Sequence, residues 1–242
     1  MQDFWIPISI VFLFSSVQSL FGVGLLVFGT PTLLLMMGLP FKETIAYLLP
    51  SFVLISLMQT INGRSHIGGL RRQIWVYCVP CIVVGLALVL SKLFAFDIKL
   101  LVGATLILTA LTRFNKRLQQ ALVFVLKRYA KLYLMLMGFL HGISNMGGGL
   151  LTIFATTLYE DKERTRANIA YGYLVFAVSQ IGVLLLLDPT VFNLNCLPLA
   201  AVALATYLTV GSSIYVRSSR NVYQQLITAF MVAYGVVLIC VK

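Results

Sequence analysis

The sequence predicts an all-α integral membrane protein made of two inverted repeats, each a broken or re-entrant helical hairpin followed by three transmembrane helices. Three observations carry that prediction. The 242 residues are 60% hydrophobic and only 10% charged, with a mean hydropathy of +0.97, whereas about a quarter of an ordinary soluble domain is charged. The charges gather into short islands separated by stretches about as long as one helical crossing of the roughly 30 Å hydrocarbon core. A short pattern in the first half recurs in the second, about 125 positions on.

The elements follow in order. Residues 4–41 contain no charge. One continuous helix of that length would run to about 57 Å, nearly twice the core, so the segment must fold back. The fold-back falls at Phe21, Gly22, Val23 and Gly24, where two glycines free the backbone from helical dihedrals, and Pro31 further on removes a donor. Stretches 44–63 and 73–91 are single crossings, and 97–112 is a shorter one. A basic connector follows at 114–131, with Leu118 to Leu126 as a short amphipathic piece lying along the membrane surface. Residues 132–159 are interrupted by His141, Gly142, Ser144, Asn145 and the triplet Gly147, Gly148, Gly149. As a hairpin, each limb has about 13 residues and about 20 Å of rise. Stretches 167–187 and 221–241 are crossings, and 189–216 holds another after a loop around Pro189, Asn193 and Asn195. The domains are therefore 1–113 (first repeat), 114–131 (connector) and 132–242 (second, inverted repeat).

Counting Lys and Arg orients these pieces. With both broken segments as hairpins that return to their own side, the islands at 64–72, 113–131, 162–166 and 217–220 face one way with fourteen basic residues. Lys42, Lys92, Lys99 and Lys242 face the other. The richer side is cytoplasmic by the positive-inside rule, so both termini are extracytoplasmic. Treating either hairpin as a single crossing destroys the segregation. The net charge of +11 is thus a record of topology, and no nucleic-acid partner is expected. The repeat consists of Gly24-Leu25-Leu26 with Thr32-Leu33, recurring as Gly149-Leu150-Leu151 with Thr157-Leu158, and of Ile45-Ala46-Tyr47, recurring as Ile169-Ala170-Tyr171. An odd number of crossings separates corresponding points, so the halves are inverted, and inverted repeats built on broken helices are a transporter architecture.

A small anion at the membrane midplane loses its hydration and needs donors in return. A helix restarting after a glycine break offers unpaired N–H groups and the positive end of its dipole. Gly22, Gly24, Gly147, Gly148 and Gly149 are the expected substrate-binding backbone, completed by Thr30, Thr32, Ser144, Asn145, Thr156 and Thr157. The other reading of the glycines is close helix packing. His141 is the one residue at depth that titrates near neutral pH, a proton-coupling candidate, or else a neutral histidine bonded to a neighbouring carbonyl. Gln18, Gln59, Gln180, Tyr47 and Tyr171 are polar residues within spans, expected to bond helix to helix. Apart from Lys99 at the outer edge of the 97–112 span, no Lys or Arg falls inside a predicted span, which favours a weak, releasable site.

The N-terminal glycine break, the Pro31-Thr32-Leu33-Leu34 run closing on Gly38-Leu39-Pro40, and the second break at Gly147-Gly148-Gly149 resemble the TauE/SafE sulfite exporter family over nearly the whole chain. That resemblance implies secondary transport of small sulfur-containing or organic anions such as sulfite, sulfonates and sulfoacetate. The expected setting is a lipid bilayer as a multi-pass protein, the bacterial inner membrane. Two other classes compete. Cys78-Val79-Pro80-Cys81 spells CxxC, which suggests a membrane thiol-disulfide electron carrier. Yet the repeat sets Val202 and Ala203 opposite Cys78, where a symmetric carrier needs a second cysteine. An anion channel is the third class, although two gates within one chain favour alternating access. The absence of a nucleotide-binding loop, a metal-ligand cluster and a catalytic triad argues for no cofactor and no enzyme activity. The first 30 residues lack the basic start and the small-residue cleavage site of a signal peptide.

Overall fold

The computed structural model describes residues 2–21, 24–91, 97–192, 194–211 and 220–240. Among them every regular element is helical. In chain order these are α1 (Gln2–Phe21), α2 (Leu25–Met36), α3 (Phe41–Asn62), α4 (Leu70–Leu90), α5 (Ile98–Phe114), α6 (Lys116–Arg128), α7 (Ala130–Ser144), α8 (Gly148–Leu158), α9 (Lys162–Leu187), α10 (Cys196–Thr206, extended by a π turn at Tyr207–Gly211) and α11 (Arg220–Cys240).

Local chemistry sets the helix boundaries. Asp97 accepts from the Leu100 amide at the start of α5, and Asn115 accepts from the Arg117 and Leu118 amides at the start of α6. Asp161 takes the Arg164 amide at the start of α9. Each side-chain oxygen satisfies donors that the first helical turn leaves bare. At the other ends, Gly38 (φ 59°) turns the chain after α2, and Asn145 (φ 63°) does the same after α7, the left-handed conformation in which Asn is the tolerated alternative to Gly.

Three helices, Phe41–Asn62, Leu70–Leu90 and Glu163–Leu187, are long and apolar enough to cross a membrane. They fall on the expected spans 44–63, 73–91 and 167–187, each starting a few residues earlier. Of the remaining expected crossings, α5 meets α6 at a 98° bend, and the apolar parts of α10 and α11, Cys196–Val210 and Met231–Cys240, are shorter. The connector's amphipathic piece is α6, longer than Leu118 to Leu126 at both ends.

The helices pack pairwise. α4 lies along α7, α5 along α11, α3 along both α9 and α10, and α1 along α10. Glycines permit close approach in two of these pairs. A Cβ added at Gly142 would stand 2.5 Å from the Ile82 carbonyl oxygen, and one at Gly138 2.3 Å from that of Cys78. Gly103 and Gly235 face each other's carbonyls at 3.0 and 3.1 Å in the same sense, closing α5 on α11. Small residues that let helix backbones meet are how membrane bundles gain packing energy when burial itself supplies little.

Polar contacts tie the ends of the long helices. Lys42 at the start of α3 is ion-paired with Asp188 at the end of α9. The segment after α3 joins the start of α9: the Gly68 amide donates to Asn168 Oδ1 (3.2 Å), and Asn168 Nδ2 donates to the His66 carbonyl (3.2 Å). Lys42 and the 64–72 island thus occupy opposite ends of α3.

Candidate functional site

The first hairpin is broken between Phe21 and Leu25, within the segment where the glycines predict it. Gly22 lies outside the described residues. Gly24 packs back onto α1, where a Cβ would meet the Phe14 carbonyl oxygen at 2.8 Å and Gln18 Cα at 3.2 Å. The Gln18 side chain then does what a cap residue does: its Oε1 accepts from the Leu25 amide at 3.0 Å, satisfying a first-turn donor of α2. Gln18 is itself held, since Gln59 Nε2 donates to its backbone carbonyl (3.1 Å) and its Nε2 reaches Ser56 Oγ (3.5 Å).

The second break has the same geometry with different chemistry. α7 ends at Ser144, and a Cβ at Gly147 would meet the Met137 carbonyl oxygen at 3.0 Å and His141 Cα at 3.2 Å. Met137, His141 and Gly147 each lie 123 positions after Phe14, Gln18 and Gly24. Here, however, the Gln18 counterpart is His141, and α8 starts at Gly148 with no side-chain cap. His141 is fully buried, its ring 4.4 Å from that of Phe176, and neither ring nitrogen has a hydrogen-bond partner among the described residues. Ser144 closes the turn locally, donating to the Leu140 carbonyl and accepting from the Met146 amide.

At the second break a buried polar chain crosses the molecule. Gln180 Nε2 donates to Asn145 Oδ1 (3.2 Å), and Asn145 Nδ2 donates to Thr30 Oγ1 (2.8 Å). Thr30, His141, Asn145 and Gln180 are all solvent-inaccessible. The second break therefore meets α2 at Thr30, six residues beyond Gly24, and the two broken segments engage side to limb instead of tip to tip.

The remaining candidates divide. Gly148 and Gly149 line the start of α8 under very close neighbours: a Cβ at Gly148 would fall 1.9 Å from the Tyr173 hydroxyl, and one at Gly149 2.3 Å from Thr109 Cγ2. Thr32 sits on α2, donating its hydroxyl proton to the Phe28 carbonyl and accepting from the Tyr234 hydroxyl (3.0 Å). Thr156 is exposed, and Thr157 half-buried; both hydroxyls bond back to their own helix, away from the breaks. Gln18 and Gln180, expected as helix-to-helix bonders, turn out to contact the breaks directly. Thr109, Tyr173 and Tyr234 were not singled out from the sequence, because nothing in their local pattern separates them from any other polar residue in a span. Among the described residues no group of His, Cys, Asp and Glu is arranged to hold a metal ion.

Described residues whose regular elements are all helical, with apolar spans, two glycine-broken segments and a buried, uncharged polar chain between them, define a helical membrane protein. The family described as sulfite exporter TauE/SafE matches residues 8–238, and the chain belongs to that family. Comparisons with curated proteins and with solved structures matched nothing.

Proposed function

We propose that this protein is a secondary transporter of small anions, sulfur-containing or organic in the manner of sulfite, sulfonates and sulfoacetate, working by alternating access between two inverted repeats. The observation that carries the reading is the Asn145 to Thr30 hydrogen bond, which joins the break of one half to the return limb of the other inside a buried, charge-free polar chain.

Several features support the inverted architecture. The Phe14, Gln18, Gly24 contact recurs as Met137, His141, Gly147 at one constant spacing. The packing pairs exchange under the same relation: α1 on α10 becomes α7 on α4, while α3 on α9 and α5 on α11 each map onto themselves.

Of the two breaks, the second is the better anion site. At the first, the Leu25 amide is already taken by Gln18, whereas α8 begins uncapped. Unpaired amides in a membrane interior cost several kcal/mol each unless something polar meets them. Gly147, Gly148 and Gly149 would present those amides, with Asn145, Ser144 and Thr30 beside them, and Gly24 and Gly22 forming the related break in the other half. With dipoles and no fixed charge, the site holds an anion weakly enough to release it. In this conformation Tyr173 covers Gly148, so the substrate's arrival requires that ring to move. His141, fully buried in the last turn of α7 before the second break, is the residue through which a proton would be coupled to the anion.

The basic side is placed in the cytoplasm and the Lys42–Asp188 pair outside, in a cell membrane with both termini extracytoplasmic. The thiol-carrier alternative is weaker, because Cys78 is buried with its backbone and sulfur against Gly138, at a helix contact.

The test is ligand-dependent thermal stabilisation of the purified protein across sulfite, sulfonates, carboxylates and sulfate. A ligand bound only by the folded state must raise its melting temperature. Stabilisation by sulfite or sulfonates supports the reading, and no shift with any anion would overturn it.

A further inference from the structure

A cavity of about 380 Å³ opens where α4, α6, α7 and α8 come together, far from the polar chain. Its wall is two-natured. Leu126, Phe154 and Leu158 make an apolar floor, while Lys127, Gln73 and Tyr159 bring an ammonium, a carboxamide and a phenol to the rim. Lys127 is exposed and is the one charged side chain among the residues lining the cavity, so the charge presented there is cationic.

The surroundings identify the depth. α6 turns 98° from α5, holding Leu126 inward while Leu118, Val125 and Tyr129 are exposed along one flank. Its charged residues Arg117, Lys127 and Arg128 project elsewhere, the pattern of a helix lying in the bilayer interface. Lys131 stacks on Tyr77 at 5.5 Å, and the exposed Trp75 donates to the Tyr171 hydroxyl at 3.0 Å. Aromatic and basic side chains gather at headgroup level in membrane proteins.

We propose that this cavity is a binding site for an anionic phospholipid, with the lipid phosphate at Lys127 and the first acyl carbons against Leu126, Phe154 and Leu158. Charge complementarity selects that occupant: the apolar floor suits acyl carbons, and the Lys127 ammonium suits the anionic headgroups of the leaflet the island faces. The site rests on the topology proposed above only for which leaflet supplies the lipid.

The experiment measures lipid co-purified with the intact protein, by native mass spectrometry after exchange into phosphatidylglycerol or phosphatidylcholine. The expected result is a retained phosphatidylglycerol that phosphatidylcholine does not replace and that soluble glycerol phosphate does not displace. Lys127→Gln, an exposed change that leaves folding intact, should cut retention about fivefold, while Arg117→Gln, on the same helix away from the cavity, should not. Equal retention of both lipids, or equal loss in both variants, would overturn the site in favour of diffuse charge attraction. Displacement by glycerol phosphate would overturn it in favour of a soluble anion. Labelling a cysteine at position 127 from the external side would instead refute the topology while leaving lipid retention as measured.

Discussion

Asn145 donates its Nδ2 to Thr30 Oγ1 at 2.8 Å, and the two residues belong to opposite halves of the chain, 115 positions apart. Asn145 also holds a left-handed backbone at φ 63° and accepts from Gln180. One residue thus terminates α7, shapes the second break and ties it to α2. Asn145→Ala should lose both the side-chain bonds and the backbone preference, at roughly 2–4 kcal/mol in all. Asn145→Gly should restore the backbone part alone, giving a melting temperature between the two. If Ala and Gly destabilise equally, the left-handed turn is not what Asn145 supplies.

Thr30→Val keeps the shape and removes the acceptor. It should leave Asn145 Nδ2 buried without that partner, costing about 1–3 kcal/mol, and it should impair transport even where the folded fraction is matched. Native transport by the folded variant would remove the polar chain from the mechanism.

Gly148→Ala is expected to destabilise whatever the site binds, because the added methyl would fall 1.9 Å from the Tyr173 hydroxyl. Overpacking of this kind typically costs 1–3 kcal/mol. Tyr173→Leu in the same chain should recover part of the loss, which denaturation of the single and double variants would read. Additive losses would mean that the two residues do not share the contact.

Much of this was legible before any coordinates. The charge islands predicted α3, α4 and α9 to within a few residues, since every charge inside a span is expensive and so marks its edge. The glycines placed both breaks, and the second hairpin has limbs of 15 and 11 residues against an expected 13 each. The first hairpin is less even, with 20 and 12, because its break was located by composition and composition does not fix depth. The contacts of Tyr173 with Gly148 and Thr109 with Gly149 were hidden, as they depend on how closely α9 and α5 approach α8. Gln18 was visible as a polar residue in a span, but its capping of Leu25 requires the chain to fold back within reach.

His141 is expected to set the pH dependence of transport, being a fully buried histidine in the last turn of α7, beside the second break. Transport by His141→Gln, at matched expression, should lose the pH response of the native protein. Superimposable pH profiles would show that no coupling proton passes through it.

Cysteines at positions 42 and 68 should label from opposite sides of the membrane, the first from outside, and those at 71 and 128 from the cytoplasm. Asp188 adds a pH signature beside Lys42: the Lys42 ammonium and the Thr190 hydroxyl hold its carboxyl below the usual range. A depressed carboxylate stabilises the fold above its unfolded-state value, and that contribution disappears as pH falls through the folded value. Asp188→Asn should therefore flatten the acid limb of the stability profile by removing that contribution at neutral pH while leaving the fully acid region unchanged, and the step is small, as expected of an exposed pair. An unchanged acid limb would mean that the ion pair does not form in the membrane.

Alternating access by two broken hairpins is tested most directly by counterflow in proteoliposomes. Vesicles loaded with unlabelled sulfite, or with a sulfonate if that is the anion that stabilises the protein, are diluted into a trace of the labelled anion. The account predicts a transient internal accumulation of label above the external level, since one site exchanges occupants as it faces each side in turn. Uptake that only equilibrates, with no overshoot and no dependence on the internal anion, would contradict it and identify a channel.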